Sequence, residues 1–220
     1  MSNPPLHAFD PALVAAQLRK PSGESANQVA AQMNISNRLL TEISYRLLAA
    51  RAQEILLEVG PGNGAFLNDL LSAVGPHGRV HALDYSTEMI AEICQRHSEA
   101  CATGCLQVQE GQLQALPYAD QSMDGICTVN TLYFWDSPPT CLAELWRVLK
   151  PGGRLVIGFR SRQAVQNLPF TQYGFQLYSP AEVISLSEAH GFEIMALERV
   201  WHQDRSLDNI GLKLQKPLEG

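Results

Sequence analysis

The residues with the clearest chemical potential stand around one glycine-rich turn. The apolar run Ile55–Val59 contains an acid, Glu58. Glycines follow the run at alternate positions, at Gly60, Gly62 and Gly64. Glycine has no Cβ, so such a turn lets the backbone come close to a ligand. A helical pattern begins directly afterwards, and the free N–H groups of a helix start can bind acceptor atoms of that ligand. The stretch therefore predicts a small-molecule site between a buried strand and a helix.

The elements that must position this turn alternate between strand and helix. Strands are predicted over 55–59, 79–84, 104–109, 124–129, 154–159, 192–200 and 209–215. Helices are predicted over 65–74, from the N-cap Ser86, over 138–149 and over 180–190 after the N-cap Ser179. This alternation implies right-handed crossovers and a parallel sheet, and the short link between the final two strands predicts an antiparallel pair at its edge. The fold class is α/β, with a doubly wound and mostly parallel seven-stranded sheet.

Two segments lie outside this alternation. Residues 1–50 are predicted to be a helical cover that packs on the sheet and over the ligand, and residues 51–220 the ligand-binding domain. The predicted cover helices are Pro11–Lys20, Ser25–Met33 and Ser36–Ala50, the last two capped by their first serine. Residues 160–178 carry four aromatic side chains and fit either a surface loop or a lid over the site.

Composition and charge limit the partners. The chain has 220 residues, 45% of them hydrophobic, and a formal net charge of −6. An acidic chain is a poor partner for nucleic acid, because phosphate contacts need a basic face. No apolar run approaches the roughly 18 residues of a membrane span, and the start Met1–Pro5 lacks the features of a signal peptide. We expect a cytoplasmic protein, either a monomer or a homodimer, with no nucleic acid or membrane partner.

The five cysteines are an odd number and are scattered, so a disulfide framework is not expected. Cys94, His97 and Cys101 could share a helix face close to Cys105, and such soft ligands can hold zinc. Without a C-x-x-C pair, buried or surface thiols are the favoured interpretation, and no metal site is predicted.

Four segments, in order along the chain, resemble motifs of the class I S-adenosylmethionine-dependent methyltransferases. They are Glu58–Gly64 (an acid and G-x-G-x-G), Val80–Ser86 (a second strand with a terminal acid), Leu116–Asp124 (similar to "LPF-x-D-x-S-F-D") and Leu145–Leu155 (similar to "RVLKPGGRL"). The resemblance covers roughly residues 50–216. It implies a Rossmann-like methyltransferase fold with an N-terminal helical extension. It also implies S-adenosylmethionine as cofactor, S-adenosylhomocysteine as product and a small-molecule methyl acceptor.

The resemblance also implies a set of cofactor-binding residues. They are Glu58, Gly60, Gly62, Asn63, Gly64, Asp84, Tyr85, Met89, Gln112, Leu113 and Asn130. Asp84 is expected to accept both ribose hydroxyls, and Glu58 to lie beside the methionine amino group. Tyr85 and Met89 are placed to sandwich adenine, although Met89 could equally be a core residue. Gln112 stands where the family commonly has an acid that binds the adenine amino group, and its amide carbonyl can accept the same bond.

The acceptor side is expected after the fourth strand. In the family this loop faces the transferred methyl group, which implies that Asn130 reaches the methionine and that Tyr133, Phe134 and Trp135 line the acceptor pocket. Phe134 could instead be a core anchor. Methyl transfer is an in-line displacement that needs alignment more than a catalytic triad. The candidate general bases are Tyr133, His190 and His202. Residues 17–23 and Met33, Asn34 and Asn37 are similar to a leader that closes over the cofactor in some relatives.

Other functions fit parts of the same pattern. An NAD(P)-dependent oxidoreductase would use Gly60, Gly62 and Ala65 as a relaxed dinucleotide fingerprint, with Asp84 on the ribose. Glu58 and the third glycine favour the methyltransferase. A non-catalytic cofactor-binding protein, in which the helical leader mediates assembly, is a further possibility. An arsenic-methylating role would need cysteines at the acceptor site, for which Cys127 and Cys141 are the nearest candidates.

Overall fold

The computed structural model describes residues 10–23, 26–202 and 206–218. Residues 1–5, the expected N-cap Ser25 and part of the connection 202–207 lie outside the described residues. The strands are β1 (Ile55–Val59), β2 (Arg79–Asp84), β3 (Leu106–Glu110), β4 (Met123–Val129), β5 (Leu149–Phe159), β6 (Glu193–Trp201) and β7 (Asp208–Gln215). The α-helices are α1 (Pro11–Arg19), α2 (Ala26–Leu48), α3 (Leu67–Val74), α4 (Thr87–Arg96), α5 (Ser98–Thr103), α6 (Pro138–Val148), α7 (Arg162–Val165) and α8 (Pro180–Glu188).

The strands form a seven-stranded sheet in the order β3-β2-β1-β4-β5-β7-β6. The first five are parallel, and β7 pairs antiparallel with both β5 and β6. The predicted α/β class, the mostly parallel sheet and the antiparallel edge pair are confirmed. After β1 the chain adds β2 and β3 along one edge of that strand, and it then crosses over to pair β4 with the opposite edge of β1. A parallel sheet has its ligand crevice at such a reversal, outside the carboxyl ends of the strands.

Strand β1 is central because both of its faces are apolar and both are covered. Leu57 joins the core beneath α6 and α8, whereas Leu56 joins the core shared with α3 and the end of α2. Both side chains are fully buried. The predicted bounds of β1 and β2 and the N-caps Ser86 and Ser179 are confirmed.

Residues 26–48 form one helix where two were predicted. The prediction of Ser36 as an N-cap is wrong. Its hydroxyl donates a hydrogen bond to the carbonyl oxygen of Met33 at 3.1 Å, inside the helix. No glycine or proline interrupts the sequence between the two predicted segments, so the helix continues.

Helix α2 lies directly on β5 and β7 because two glycines make room for it. A Cβ at Gly158 would stand 2.4 Å from the Ser44 hydroxyl oxygen. A Cβ at Gly211 would stand 2.5 Å from Leu47 Cδ1. No helix in the described ranges has the length and apolar character needed to cross a membrane.

The bounds of most other predicted elements differ by one or two residues, and two stretches differ by more. Strand β5 begins at Leu149, because the segment before Arg154 also pairs: Gly152 donates to the Lys216 carbonyl at 2.8 Å, and Lys216 donates to the Gly153 carbonyl at 3.0 Å. The segment 160–178, left open as loop or lid, holds α7 and a 3₁₀ turn over 169–172.

His97 separates α4 from α5, so Cys94, His97 and Cys101 do not share one continuous helix. A ring nitrogen of His97 lies 2.7 Å from the Gly64 carbonyl oxygen. Within 10–23, 26–202 and 206–218, no three His, Cys, Asp or Glu side chains are grouped to hold a metal ion.

Candidate functional site

A cleft of about 270 Å³ opens at the carboxyl ends of β1, β2 and β4. Its volume is close to the lower end of the range for small-molecule sites. The turns after β1, β2, β3 and β4 form its floor, and α1 and α2 form the wall above that floor. Its lining includes Arg19, Met33, Asn34, Asn37, Thr41, Glu58, Gly60, Gly62, Asn63, Asp84, Tyr85, Met89, Gln112, Leu113, Asn130, Phe134 and Trp135. Most of the residues expected in the site are therefore brought together at one place.

The three glycines of the turn have different roles. Gly60 has φ +72°, and a Cβ there would stand 2.4 Å from Thr131 Cγ2. Gly62 has φ +58° and faces open space in the cleft. Gly64 does not line the cleft, and a Cβ there would stand 3.0 Å from Ile93 Cγ1. Gly60 and Gly62 thus give the cleft its backbone wall, whereas Gly64 allows the turn to pack against α4.

Asp84 ends β2 and is buried at the edge of the cleft. Its Oδ1 accepts a hydrogen bond from the Ser86 N–H at 2.9 Å. Burial raises the pKa of Asp84 to about 6, although backbone N–H groups of Ser86, Gly62 and Tyr85 act in the opposite direction. The carboxylate is thereby anchored to the glycine turn and retains lone pairs for hydroxyl donors of a ligand.

Glu58 is the second buried carboxylate of the cleft, with 4% of its surface exposed. The hydroxyl of Tyr45 on α2 donates to Glu58 Oε2 at 2.5 Å. Burial raises the pKa of Glu58 to about 7; the Tyr45 hydrogen bond opposes this rise and the charge of Asp84 adds to it. Across the described residues no cationic side chain forms an ion pair with Glu58. A buried carboxylate in this position is suited to a ligand that brings its own positive charge.

Two amide pairs join α2 to the floor of the cleft. Asn34 Nδ2 donates to Asn63 Oδ1 at 3.1 Å, and Asn130 Nδ2 donates to Asn37 Oδ1 at 2.9 Å. Asn130 also adopts a left-handed backbone with φ +56°, directly after β4. Asn34 and Asn37, one helical turn apart, therefore contact the turns after β1 and β4 respectively.

The last residue of α1 and the segment that follows this helix cross above the cleft. The Arg19 guanidinium lies 3.0 Å from an oxygen of Asp136 and 5.9 Å from the Phe134 ring centre. Tyr85 donates a hydrogen bond to the Arg19 carbonyl, and the Pro21 carbonyl accepts one from Ser86 at 2.8 Å. Arg19 and Pro21 belong to the segment 17–23 that was expected to close over the cofactor, but the sequence did not indicate their partners Asp136, Tyr85 and Ser86.

Met89 and Leu113 both line the cleft and are both buried. Met89 also packs against Ala26 and Ala30 of α2, so its expected roles as cleft wall and as core residue coincide. Gln112 follows Gly111, which donates a backbone hydrogen bond to the Asp84 carbonyl at 3.0 Å.

Tyr133 is placed differently from the expectation. It is buried and does not line the cleft, whereas Phe134 and Trp135 do. Its hydroxyl accepts from the Arg160 N–H at 2.6 Å and lies 3.2 Å from Asn130 Oδ1. Burial raises the pKa of Tyr133 well above its ordinary value, so the phenol stays protonated. Tyr133 therefore lies behind Asn130 and not in the wall of the cleft, which corrects its expected place as pocket wall; its role as general base stays a prediction.

The remaining candidates also lie apart from the cleft. His190 Nδ1 lies 2.8 Å from the Leu186 carbonyl oxygen at the end of α8. His202, Cys127 and Cys141 do not line the cleft. These four residues thus lie outside the lining of the cleft, and their roles as general base or acceptor ligand stay predictions.

Comparisons with known proteins agree with this architecture. A family described as a methyltransferase domain matches residues 57–157. A ubiquinone/menaquinone biosynthesis C-methyltransferase from Roseobacter denitrificans is 32% identical over 178 residues, which cover 72% of this chain and 68% of that protein. A demethylmenaquinone methyltransferase from Lactococcus lactis subsp. lactis is 34% identical over 123 residues, 56% of this chain and 47% of that protein. The crystal structure of an S-adenosylmethionine-dependent methyltransferase from Aquifex aeolicus has the same fold, with a TM-score of 0.68 and 23% identity over 94% of this chain and 99% of that one.

Sheet order, cleft position and these matches together show that the chain belongs to the class I S-adenosylmethionine-dependent methyltransferase family. The predicted class, its Rossmann-like fold and S-adenosylmethionine as its cofactor are confirmed. The chain spans only 31% to 55% of the length of several curated relatives that it matches.

Proposed function

We propose that the protein transfers the methyl group of S-adenosylmethionine to a small-molecule acceptor. The observation that carries the proposal is the pair of buried carboxylates, Glu58 and Asp84, which line the same cleft as the open backbone at Gly62. S-adenosylmethionine has an ammonium group at one end and ribose hydroxyls near the other. The carboxylates suit these two groups, and the missing Cβ of Gly62 leaves room for the ligand in the same cleft.

The cofactor contacts follow from the chemistry of the cleft. Asp84 accepts the ribose hydroxyls, and Glu58 pairs with the ammonium group. Tyr85, Met89 and Leu113 give adenine an apolar surrounding, with Gln112 at its polar edge. The other cofactor-binding residues are Gly60, Gly62, Asn63, Asn130, Asn34, Asn37 and Met33. Gly64 supports the turn from behind.

The bound cofactor supplies a methyl group on a positively charged sulfur, which is already a good leaving group. The chain's own residues then bind, orient and exclude water. Phe134 and Trp135 line the side of the cleft next to Asn130, where an acceptor would lie. Several relatives are named for methylation in quinone biosynthesis, and these two aromatic side chains suit a flat ring of that kind.

Calorimetric titration of the full chain with S-adenosylmethionine and, separately, with NAD tests the cofactor assignment. We expect binding of S-adenosylmethionine and a weakened affinity in Asp84→Asn. Glu99→Gln is the matched control, because Glu99 is exposed on α5 and does not line the cleft. Binding of NAD without S-adenosylmethionine would overturn the proposal.

Transfer itself is tested with radiolabelled methyl donor and a panel of quinols, phenols, amines and thiols. We expect labelled product from at least one acceptor and loss of transfer in Asp84→Asn. Cofactor binding without transfer to any acceptor would favour the non-catalytic alternative.

A further inference from the structure

Tyr45 and Glu58 form a contact that joins α2 to the centre of the sheet. Tyr45 lies on α2, one turn beyond Thr41, which lines the cleft. Its hydroxyl donates to Glu58 Oε2 at 2.5 Å. Its ring packs against the apolar core that contains Leu48 and Leu56. The ring is thus held by packing, and its hydroxyl is aimed at one oxygen of the carboxylate.

This geometry leaves the second oxygen of Glu58 without a hydrogen-bond donor in the same contact. Glu58 lines the cleft, so its remaining lone pairs are available to a ligand. A glutamate side chain has several rotamers, and fixing one of them lowers the entropy cost of binding. Tyr45 therefore does for Glu58 what a supporting hydrogen bond does for a metal-binding histidine: it fixes the direction of the functional group.

The charges around Glu58 make this hydrogen bond more important. Two effects raise the pKa of Glu58. The larger is burial, and the other is the charge of Asp84 on β2. Cys127 on β4 and Asp69 on α3 also face the Tyr45–Glu58 pair. Burial and Glu58 hold the pKa of Tyr45 well above its ordinary value, so Tyr45 stays a donor. Its hydrogen bond favours the ionised form of Glu58 against burial and the charge of Asp84.

From this arrangement we propose that Tyr45 is a positioning residue that orients the Glu58 carboxylate toward the ammonium group of the methyl donor. The inference rests on the proposed function, since it assigns a supporting residue to the same cofactor site. It makes α2 part of the recognition of the amino-acid end of the cofactor. The adenosine end depends on other elements, chiefly the ends of β2 and β3.

Two ligands separate these ends experimentally. S-adenosylhomocysteine carries the ammonium group, whereas 5′-methylthioadenosine keeps the nucleoside and the sulfur but lacks the amino-acid part. We expect Tyr45→Phe to weaken binding of S-adenosylhomocysteine about tenfold, because a hydrogen bond to a charged group is lost. Binding of 5′-methylthioadenosine, measured by the same calorimetry, should change less than about twofold. Retained binding of the second ligand also shows that the variant is folded.

The pH profile gives a readout that a purely structural residue would not move. The ionised form of Glu58 binds the ammonium group, so affinity for S-adenosylhomocysteine should fall as the pH drops through about 7. Without the Tyr45 hydrogen bond the pKa of Glu58 rises further, so in Tyr45→Phe this fall should begin at a higher pH. Tyr118→Phe is the matched control, since the Tyr118 hydroxyl has no hydrogen-bond partner within the described residues and lies away from the cleft.

The outcomes separate the inference from the proposed function. If the unsubstituted chain binds neither ligand, the proposed function fails and the inference fails with it. If the unsubstituted chain binds both, but Tyr45→Phe weakens both equally or neither, only the inference is overturned. A tenfold selective loss with a shifted pH profile supports it. That loss should disappear in a Glu58→Gln background, where the carboxylate is already absent.

Discussion

The cofactor-free protein should become more stable at neutral pH when Glu58 is replaced by glutamine. Burial holds the pKa of Glu58 at about 7 in the folded chain, above its ordinary value of 4.5. A carboxyl group whose pKa is raised by folding holds its proton more tightly in the folded state. This contribution to stability is complete at pH values below the ordinary pKa of the group. That contribution is lost as the pH rises through the folded-state value. Between pH 5 and pH 8 this single group therefore makes the unsubstituted chain less stable, whereas Glu58→Gln has no proton to lose.

The size of the effect follows from the pKa change. A rise from 4.5 to about 7 corresponds to roughly 3 kcal/mol in all, because each pKa unit is worth about 1.4 kcal/mol. Most of this free energy, about 2 to 3 kcal/mol, is lost from the unsubstituted chain as the pH rises from 5 to 8. Urea unfolding of both proteins, followed by far-ultraviolet circular dichroism at the two pH values, measures it. The stability of Glu58→Gln relative to the unsubstituted chain should rise by that amount between pH 5 and pH 8.

The comparison needs a control for the loss of one negative charge. Glu42 lies exposed on the same helix as Tyr45, so Glu42→Gln removes a charge without changing a buried site. Its effect on stability should be nearly equal at both pH values. A stability difference between Glu58→Gln and the unsubstituted chain that is also the same at both pH values would refute the reasoning. It would mean that the Glu58 carboxylate is not desolvated in the folded chain. The expected stabilisation should be accompanied by weaker cofactor binding, measured by calorimetry.

Three further predictions follow from single contacts. Gly60→Ala combines a positive φ with a Cβ 2.4 Å from Thr131 Cγ2, so urea unfolding should show a loss of about 1–3 kcal/mol; unchanged stability would contradict the contact. Asp84→Asn should weaken S-adenosylhomocysteine binding tenfold or more in calorimetry, and full affinity would remove Asp84 from the proposed site. Ser86→Ala removes the buried N-cap hydroxyl, which accepts from the Met89 N–H and donates to the Pro21 carbonyl, so stability should fall by about 1 kcal/mol and the thermal midpoint by about 2–4 °C; an unchanged midpoint would contradict these contacts.

The central sheet could be predicted because its signals are local. Strand β1 is an apolar run that ends in the glycine turn, and β2 is a similar run that ends at Asp84. Their bounds agree with the sequence prediction. The caps Ser86 and Ser179 were likewise visible, since a serine before an acid-bearing first turn is a local pattern. Most of the cleft followed, because the ends of parallel strands meet at one edge of the sheet.

The missed features depend on contacts between distant parts of the chain. The polar residues around Ser36 suggested a helix start, but Asn34 and Asn37 contact the turns after β1 and β4 from within one continuous helix. The Tyr45–Glu58 hydrogen bond joins residues whose spacing has no meaning until α2 lies on the sheet. Tyr133 was expected in the cleft because its neighbours are there, but a single turn of 3₁₀ helix directs its side chain behind Asn130.

The packing of α2 on β7 has a consequence for the order in which the protein is built. Ile43 and Leu47 of α2 fit over Gly211 of β7, which leaves the ribosome long after α2. The helix that carries Asn34, Asn37 and Tyr45 is therefore synthesised before its docking surface exists. A nascent chain that stops short of β7 has the glycine turn and Asp84, yet it lacks the part of the platform that β7 adds to β5 beneath α2. Cofactor binding should therefore appear only late in synthesis, after the antiparallel strands β6 and β7 have joined the sheet.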